Sequence, residues 1–354
     1  MPQQTFSVEQ HPRVVLQQVQ GNVIVRSWQD SCISVRVEGD VPIAAQLYQE
    51  GDTVFIQGIE HNLELVVPYI KKGFFGHASL LTDISVTDAD GSIVMENAGN
   101  VELERVRQVV DLTHVARSIH AASVAELRGR KGIGANVTLV NVESAEMGAV
   151  GGSVNAQQCG SVKTSVIGGN LQAERIETFL QASAVGGNCT VLNSRTAEVF
   201  VGNIGGRLNV QGIARMPSCN VGGNIDLATD LLPGSAMHLI AGGNAVITLP
   251  EQPNVHLRIL SGNRIRGDVL DRQRNYIANV TLGDGSAKLS VTAGGSVTLQ
   301  KGNVATVRFE QNEPVQDTPE VTPAGKRQTI LQMVADGRIS PEEGNALLDA
   351  LEYP

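Results

Sequence analysis

Ile167-Gly168-Gly169-Asn170-Leu171 is one of six related segments that recur through the middle of the chain. In each segment a Gly-Gly pair follows a small aliphatic residue, and another apolar residue stands three positions after the first glycine. The position after the pair is asparagine in four of the six. The pairs begin at Gly151, Gly168, Gly186, Gly205, Gly222 and Gly242, in steps of 17, 18, 19, 17 and 20 residues. A period of this length indicates a repeat architecture.

The repeat predicts stacked coils of short strands. Glycine at a fixed phase favours a turn, often with positive φ. The flanking apolar residues then point inward, so we expect Val154, Leu171, Leu208 and Ile225 to form one interior column. A step of about 18 residues suits one coil of a parallel β-helix, in which coils stack about 4.8 Å apart. The recurring asparagines should then form a ladder of side-chain amides. Leucine-rich repeats have a similar period, but their fixed leucine pattern is absent.

The predicted fold class is therefore all-β, a parallel β-helix or β-solenoid of about 18-residue coils. Residues 1–100 are rich in short β-branched runs separated by turn signals, such as Glu50-Gly51-Asp52, and form a less regular part of the solenoid. Residues 101–311 carry the Gly-Gly-Asn repeat. Within them, 101–130 suit either helix or strand, and we interpret them as continued solenoid.

The C-terminal part of the chain has a different pattern. Residues 312–325 contain three prolines in a polar, acidic stretch and indicate an extended linker. Residues 326–354 predict a small α-helical hairpin: Gly337 ends the first helix, and Ser340-Pro341-Glu342-Glu343 starts the second. So short a hairpin must dock on something to be stable. Its apolar faces are the candidate interaction residues Ile330, Met333, Val334, Leu347, Leu348 and Leu351.

Composition excludes some classes of function. The formal net charge of -9 disfavours nucleic acid as a partner, and only 3% of residues are aromatic, too few for base-stacking platforms. The four cysteines, Cys32, Cys159, Cys189 and Cys219, form no metal-binding pattern and are expected to be unpaired thiols. The polar N-terminus is unlike a signal peptide, and no apolar run is long enough for a membrane span. We therefore expect a cytoplasmic protein.

No motif for catalysis, a cofactor or a metal is found. The seven histidines are scattered, and the glycine-rich segment Gly129 to Gly134 fits neither dinucleotide- nor phosphate-binding patterns. A carbohydrate-active β-helix enzyme is the weaker alternative, since it needs paired carboxylates in a cleft. Another alternative is a peripheral membrane sensor that uses the basic and aromatic segment with Lys71, Lys72, Phe74 and Phe75. The competing interpretation is that Phe74 and Phe75 plug one end of the solenoid.

Two resemblances add to this interpretation. The segments Ile330 to Val334, Asp336 to Ser340 and Pro341 to Glu343 resemble the SHOCT-like helical module of bacterial proteins. The body resembles the bacterial β-strand-repeat family of candidate adhesins, through Gly21 to Val25, Leu65 to Pro68 and Asp90 to Ile93. Bactofilin-like polymers share a similar coil length but are shorter.

The resemblances imply a non-enzymatic bacterial scaffold or interaction protein, in some relatives linked to cell-envelope stress. They imply no cofactor and no catalytic residue. We expect a homo-oligomer or a protein partner, with association through the C-terminal hairpin. The departures from the relatives are that the module is C-terminal here and that no export signal is found.

Overall fold

The computed structural model describes residues 3–9, 11–38, 47–70, 80–269 and 274–302. All regular secondary structure in these ranges is β-strand, which confirms the all-β class. The chain divides into two compact units, unit 1 (Met1–Gly168) and unit 2 (Gly169–Pro354). The predicted linker 312–325 and hairpin 326–354 lie outside the described residues, and both stay predictions.

Unit 1 contains sixteen of the described strands. They are β1 (Gln3–Ser7), β2 (Arg13–Val19), β3 (Val23–Trp28), β4 (Cys32–Val37), β5 (Leu47–Glu50), β6 (Thr53–Gln57), β7 (Leu63–Ile70), β8 (Leu80–Leu81), β9 (Asp83–Ala89), β10 (Ile93–Ala98), β11 (Val101–Val115), β12 (Ile119–Gly129), β13 (Val137–Val140), β14 (Ser144–Met147), β15 (Val154–Gln157) and β16 (Ser161–Ile167). Residues 101–130, for which helix and strand were both open, are thus mainly strand.

Equivalent residues of successive coils in unit 1 pair in parallel, one above the other. Two series of apolar side chains are buried along their whole length and form the core. The first runs through Val54, Val14, Ile84, Val101, Ile119, Val137 and Val154. The second runs through Leu63, Val23, Ile93, Val110, Leu127, Ala145 and Val162. Val154 therefore has the interior position that the repeat predicts.

The first coils of unit 1 are not stacked in chain order. The β2–β3 coil lies between the later β6–β7 coil and the β9–β10 coil, and it pairs in parallel with both. Antiparallel strands cover the outer edge of the β6–β7 coil: β5 pairs with β6, β4 pairs with β7, and β1 pairs with β4. Antiparallel cover occupies the backbone groups that another coil would need for parallel stacking.

Unit 2 contains thirteen of the described strands. They are β17 (Leu171–Glu174), β18 (Phe179–Val185), β19 (Cys189–Leu192), β20 (Glu198–Ile204), β21 (Leu208–Gln211), β22 (Ser218–Val221), β23 (Ile225–Ala228), β24 (Ala236–Ala241), β25 (Ala245–Leu249), β26 (Val255–Gly267), β27 (Arg274–Leu282), β28 (Ala287–Ala293) and β29 (Val297–Lys301).

Unit 2 repeats the parallel pairing, with three of the four predicted column residues in one series. The series is buried throughout and runs through Leu171, Cys189, Leu208, Ile225, Ala245 and Val297. Its last coil is again out of chain order, because β24 pairs with β28 while β26 lies on the other side of β28. The antiparallel strand β27 pairs with β26. Unit 2 thus has the same antiparallel cover on an outermost coil as unit 1.

The Gly-Gly pairs are required by close approach between coils and not by positive φ, which corrects the sequence-based interpretation. The positive-φ glycines of the described residues lie elsewhere, for example at Gly212. A Cβ at the first glycine of a pair would strike a backbone carbonyl of the preceding coil, as at Gly205, 2.3 Å from the Gly186 oxygen. A Cβ at the second glycine would in most pairs strike an asparagine side chain, as at Gly243, 2.2 Å from Asn224 Oδ1.

The asparagines also differ from the predicted ladder of side-chain amides. Each Oδ1 accepts a hydrogen bond from the backbone N–H of the equivalent residue in the next coil. The Asn170 oxygen accepts from Asn188 N at 2.7 Å, and the Asn224 oxygen accepts from Asn244 N at 2.8 Å. In unit 1, Asn136 accepts from Ser153 N at 2.8 Å. The ladder is therefore side chain to backbone, and the second glycine of the next coil leaves the space for it.

Positive φ occurs instead at a bend within or just after the strand that begins each of nine described coils. The residues at this bend are mostly polar and not glycine. Their φ angles lie between 52° and 64° at Gln18, Asp88, Arg105, Ser123, Asn141, Gln158, Arg175, Asn193 and Gly212. Because side chains with a Cβ resist this conformation, the stacked coils must impose it.

We expect Gly243→Ala to destabilise the protein by about 1–3 kcal/mol, because the new methyl group overpacks the space held by the Asn224 side chain. Adding Asn224→Ala should recover part of this loss, since the clashing oxygen is removed. Denaturant unfolding of both single variants and the double variant measures the coupling.

Gly132→Ala is the matched control for that experiment. A Cβ there would meet nothing nearer than 3.8 Å, so stability should change by no more than about 0.5 kcal/mol. Equal losses for Gly132→Ala and Gly243→Ala would show that close approach is not the reason for the glycine.

The bend itself is tested at Gln158, an exposed residue with φ of 53°. Gln158→Val should destabilise by about 1–2 kcal/mol, because a β-branched residue is poorly tolerated at positive φ. Gln158→Gly should be close to neutral, since relief of strain offsets the greater entropy of the unfolded chain. Thermal unfolding of the two variants side by side measures the difference, and equal stability would contradict the imposed bend.

Candidate functional site

None of the interaction residues proposed from the sequence lies in the described part of the chain. Lys71, Lys72, Phe74 and Phe75 fall in the gap between residues 70 and 80. The six hairpin residues lie beyond residue 302. They are Ile330, Met333, Val334, Leu347, Leu348 and Leu351. These positions stay predictions, and the candidate site of the described residues is formed by other side chains.

The site lies on the outer face of five neighbouring strands of the unit 1 sheet. Their order is β10, β3, β7, β4, β1, in which the first three strands are parallel, β4 is antiparallel to β7, and β1 is antiparallel to β4. This sheet exists because the out-of-order coil brings β3 beside β7 and the cover strands extend it. Strands distant in sequence thereby place their outward side chains around one groove of about 350 Å³. The residues that line this Trp28 groove are Gln3, Arg26, Ser27, Trp28, Ser34, Arg36, Glu64, Val66 and Glu96.

Trp28 is the aromatic wall of the groove and the only tryptophan in the chain. It ends β3 and is half-buried. Its indole Nε1 donates a hydrogen bond to the Cys32 carbonyl oxygen at 2.7 Å, across the turn that joins β3 to β4. The ring orientation is fixed by that bond, and the ring offers its surface to a ligand because its polar atom is already engaged.

A chain of polar side chains crosses the groove beside the indole. Glu64 is half-buried and binds two arginines, Arg36 Nη1 at 3.2 Å and Arg26 Nε at 3.6 Å. Arg36 Nη2 also donates to Gln3 Oε1 at 3.4 Å, and Gln3 Nε2 donates to Ser34 Oγ at 2.9 Å. These bonds hold donors and acceptors in fixed positions on neighbouring strands.

The groove carries balanced charge and continues into an apolar strip. Arg26 and Arg36 are offset by Glu64 and Glu96, so its net formal charge is zero. Next to it on the same face, Ile24 and Val94 are paired across β3 and β10 and are exposed by 39% and 42%. Exposed aliphatic side chains that pair on neighbouring strands widen the contact surface available to a partner.

The four cysteines are free thiols, as expected, and differ strongly in environment. Cys159, Cys189 and Cys219 are buried, and burial raises the pKa of the Cys189 thiol to about 12. Burial, and then the neighbouring Cys189, raise the pKa of Cys219. Cys32 lies at the margin of the Trp28 groove and is partly exposed, although desolvation and then Asp30 raise its pKa too. The buried thiols are core residues.

Among the described residues, no three or more His, Cys, Asp or Glu side chains are grouped so that they could hold a metal ion. Within those residues there is also no helix of the length and apolarity needed to cross a bilayer.

Sequence reasoning missed the Trp28 groove because the signal for it is weak. Trp28 stands alone in an aromatic-poor chain, at a strand end followed by the polar turn Gln29-Asp30-Ser31. That isolation is the only sequence cue. The partners of Trp28 come from Gln3 to Glu96, and only the out-of-order stacking brings them together.

Comparison with known proteins gives a general likeness only. No family matches the chain, and no curated protein sequence matches it. Among solved structures, a candidate adhesin from Bacteroides fragilis aligns over 85% of this chain and 96% of its own, with 12% identity and a TM-score of 0.24. A candidate cell adhesion protein from Clostridium sporogenes aligns over 85% and 99%, with 9% identity and a TM-score of 0.17. Likenesses this low carry no conclusion about function.

We expect an alkylating reagent to modify Cys32 first in the folded protein, because only its thiol is partly exposed. The three buried thiols should react only as the protein unfolds. Mass spectrometry of a time course at mildly alkaline pH measures the order. Cys32→Ser is the control and should leave the folded protein almost unmodified, whereas rapid reaction of Cys189 in that variant would contradict the buried placement.

Proposed function

We propose that this protein is a non-enzymatic binding protein built from two β-solenoid units, and that its Trp28 groove binds a neutral carbohydrate. The observation that carries the proposal is a fixed indole surface beside a charge-balanced network of arginine, carboxylate and amide groups. The solenoid assignment rests on the parallel, one-coil registers within each unit.

The shape and chemistry of the groove favour a sugar. A sugar ring has an apolar face of C–H groups that packs on an aromatic ring, and hydroxyl groups that both donate and accept. Trp28 offers the ring, and its N–H is already bonded to Cys32. Arg36 and Gln3 supply donors, and Glu64 supplies acceptors, in the spacing of adjacent strands. One side-chain network can therefore bind neighbouring hydroxyl groups.

Charge and size also favour a neutral, small ligand. Two arginines and two glutamates leave no net charge to attract an ion. A volume of about 350 Å³ lies at the lower end of the range for small-molecule sites. A stable protein partner would need roughly 800 Å² on each side, much more than the groove offers.

The ion pairs of Glu64 support the proposal that the groove binds a sugar without hydrolysing it. Hydrolysis of a glycosidic bond needs one carboxyl group that can donate a proton and a second that is free to act. In the groove Glu64 is paired with both Arg26 and Arg36, one at each carboxylate oxygen, and each oxygen keeps a further lone pair that can accept from a ligand. Such a carboxylate orients a ligand better than it transfers a proton.

The other expectations from the sequence stay proposals. Self-association through the 326–354 hairpin, membrane contact through Lys71 to Phe75 and a role in envelope stress involve residues or partners beyond the described structure. Cytoplasmic placement is equally a proposal.

Fluorescence of the single tryptophan provides the direct test. Titration of the full chain with neutral oligosaccharides built from glucose, galactose, mannose or N-acetylglucosamine should shift or quench the Trp28 emission for at least one of them. Arg36→Ala keeps the reporter and should weaken that binding by about tenfold, because a bond between ligand and charged group is lost.

Arg107→Ala is the matched control, since Arg107 is an exposed arginine of unit 1 that pairs with Asp90 outside the groove. It should bind as tightly as the unchanged protein. Calorimetry with Trp28→Ala should show no binding. The proposal fails if no oligosaccharide alters the emission, or if Trp28→Ala and the unchanged protein bind equally.

A further inference from the structure

The corners of unit 2 contain a second cavity, separate from the Trp28 groove. A corner is the segment between the two main strands of a coil. In unit 1 these are short, such as residues 141–143 between β13 and β14. In unit 2 they lengthen to residues 193–197, 212–217 and 229–235. The longer corners do not close on one another, and they leave a cavity of about 150 Å³.

Arg195 supplies an unsatisfied charged donor in this cavity. It lies in the corner that follows β19, and its Nη2 is buried without a hydrogen-bond partner. Buried polar atoms almost always have partners, and a guanidinium nitrogen without one is costly. An acceptor supplied from outside the chain, in the cavity, would remove that cost.

Asp230 lines the same cavity from the corner that follows β23. Within the described structure Arg195 and Asp230 form no ion pair, although each is half-buried and both face one small space. The two opposite charges are therefore separated. A ligand that carries one charge of each sign would pair with both.

The remaining lining is mixed in polarity. Leu231, Leu232 and Pro233, which belong to this lengthened corner, add apolar groups, and Gln252 adds a polar one. An apolar cavity of about this size takes up a molecule as large as benzene. The space therefore suits a ligand of roughly six to ten heavy atoms with one small apolar group.

We propose that this cavity binds a small zwitterionic amino acid with an aliphatic side chain. Its carboxylate bonds to Arg195, its ammonium group faces Asp230, and its side chain packs on Leu231, Leu232 and Pro233. A simple anion fits less well, because the Asp230 carboxylate repels it. This site is independent of the carbohydrate proposal, since every residue that forms it belongs to unit 2.

The test measures, by calorimetry, the binding of three probes of similar size to the full chain. They are L-leucine, 4-methylpentanoate, which lacks the ammonium group, and isopentylamine, which lacks the carboxylate. Leucine should bind, and each half-ligand should bind at least about tenfold more weakly, because one charged hydrogen bond is lost.

Two substitutions separate binding from folding. Arg195→Gln should reduce leucine affinity by at least about tenfold, with the melting temperature unchanged or raised, because the unpaired charge is gone. Asp230→Asn should weaken leucine binding but strengthen binding of 4-methylpentanoate, because the repulsion of the carboxylate is removed. A variant that only unfolded the corner would weaken both ligands.

Arg215→Gln is the matched control. Arg215 lies in the neighbouring corner, is exposed and pairs with Glu198 at 3.4 Å, so leucine binding should not change. The proposal is overturned if leucine produces no heat at millimolar concentration. It is also overturned if Arg195→Gln binds leucine as tightly as the unchanged protein, or if Asp230→Asn leaves the ratio of the leucine affinity to the 4-methylpentanoate affinity unchanged.

Discussion

Close contact between successive coils is the constraint on which the rest of each unit depends. Parallel pairing brings the backbone of one coil directly onto the next, and the Gly-Gly pairs are recurring points of close approach. At most of these points a methyl group would lie within 2.5 Å of a carbonyl or asparagine oxygen, as at Gly187 and Gly206. The asparagine oxygen uses the space left by glycine to accept a backbone N–H, as Asn188 does from Arg207 at 2.8 Å. Glycine and asparagine are therefore a matched pair, each needed by the coil beside it.

This contact fixes the register, and the register places every other side chain. A shift by one residue would exchange the buried and outward faces, so the apolar series enforce the pairing that the glycines permit. The same register also pairs opposite charges on the outward face of the coils. In unit 1, Asp111, Arg128, Glu146 and Lys163 occupy paired positions on successive coils, with alternating charge. Opposite charges on neighbouring strands contribute about 0.2–1 kcal/mol per pair, whereas like charges would oppose the stacking.

Both candidate sites occur where the regular repeat is interrupted. The Trp28 groove depends on an out-of-order coil and on antiparallel cover strands, and the Arg195 cavity depends on lengthened corners. In the regular coils the side chains are set by the core and by the contact between coils, so little freedom remains for a ligand. Where the repeat is interrupted, fewer side chains are set by the core and by the neighbouring coil, so a ligand site can form. The cover strands have a further consequence, because they occupy the coil edges through which parallel stacking would otherwise continue.

The sequence by itself determined the all-β class and the interior positions of Val154, Leu171, Leu208 and Ile225, because these follow from local periodicity. It also indicated the unpaired thiols, because the cysteines form no paired or metal-binding pattern. It also located the glycines and asparagines but not their contacts. Positive φ is a local explanation for the glycines, whereas their cause is the adjacent coil, and the asparagines accept backbone N–H groups of that coil instead of pairing amide with amide. The order of the outermost coils, the left-handed bends at residues such as Gln158, and both candidate sites were decided only by the tertiary structure. They depend on which distant strands pair, and the spacing of a sequence repeat does not show which coils stack out of chain order.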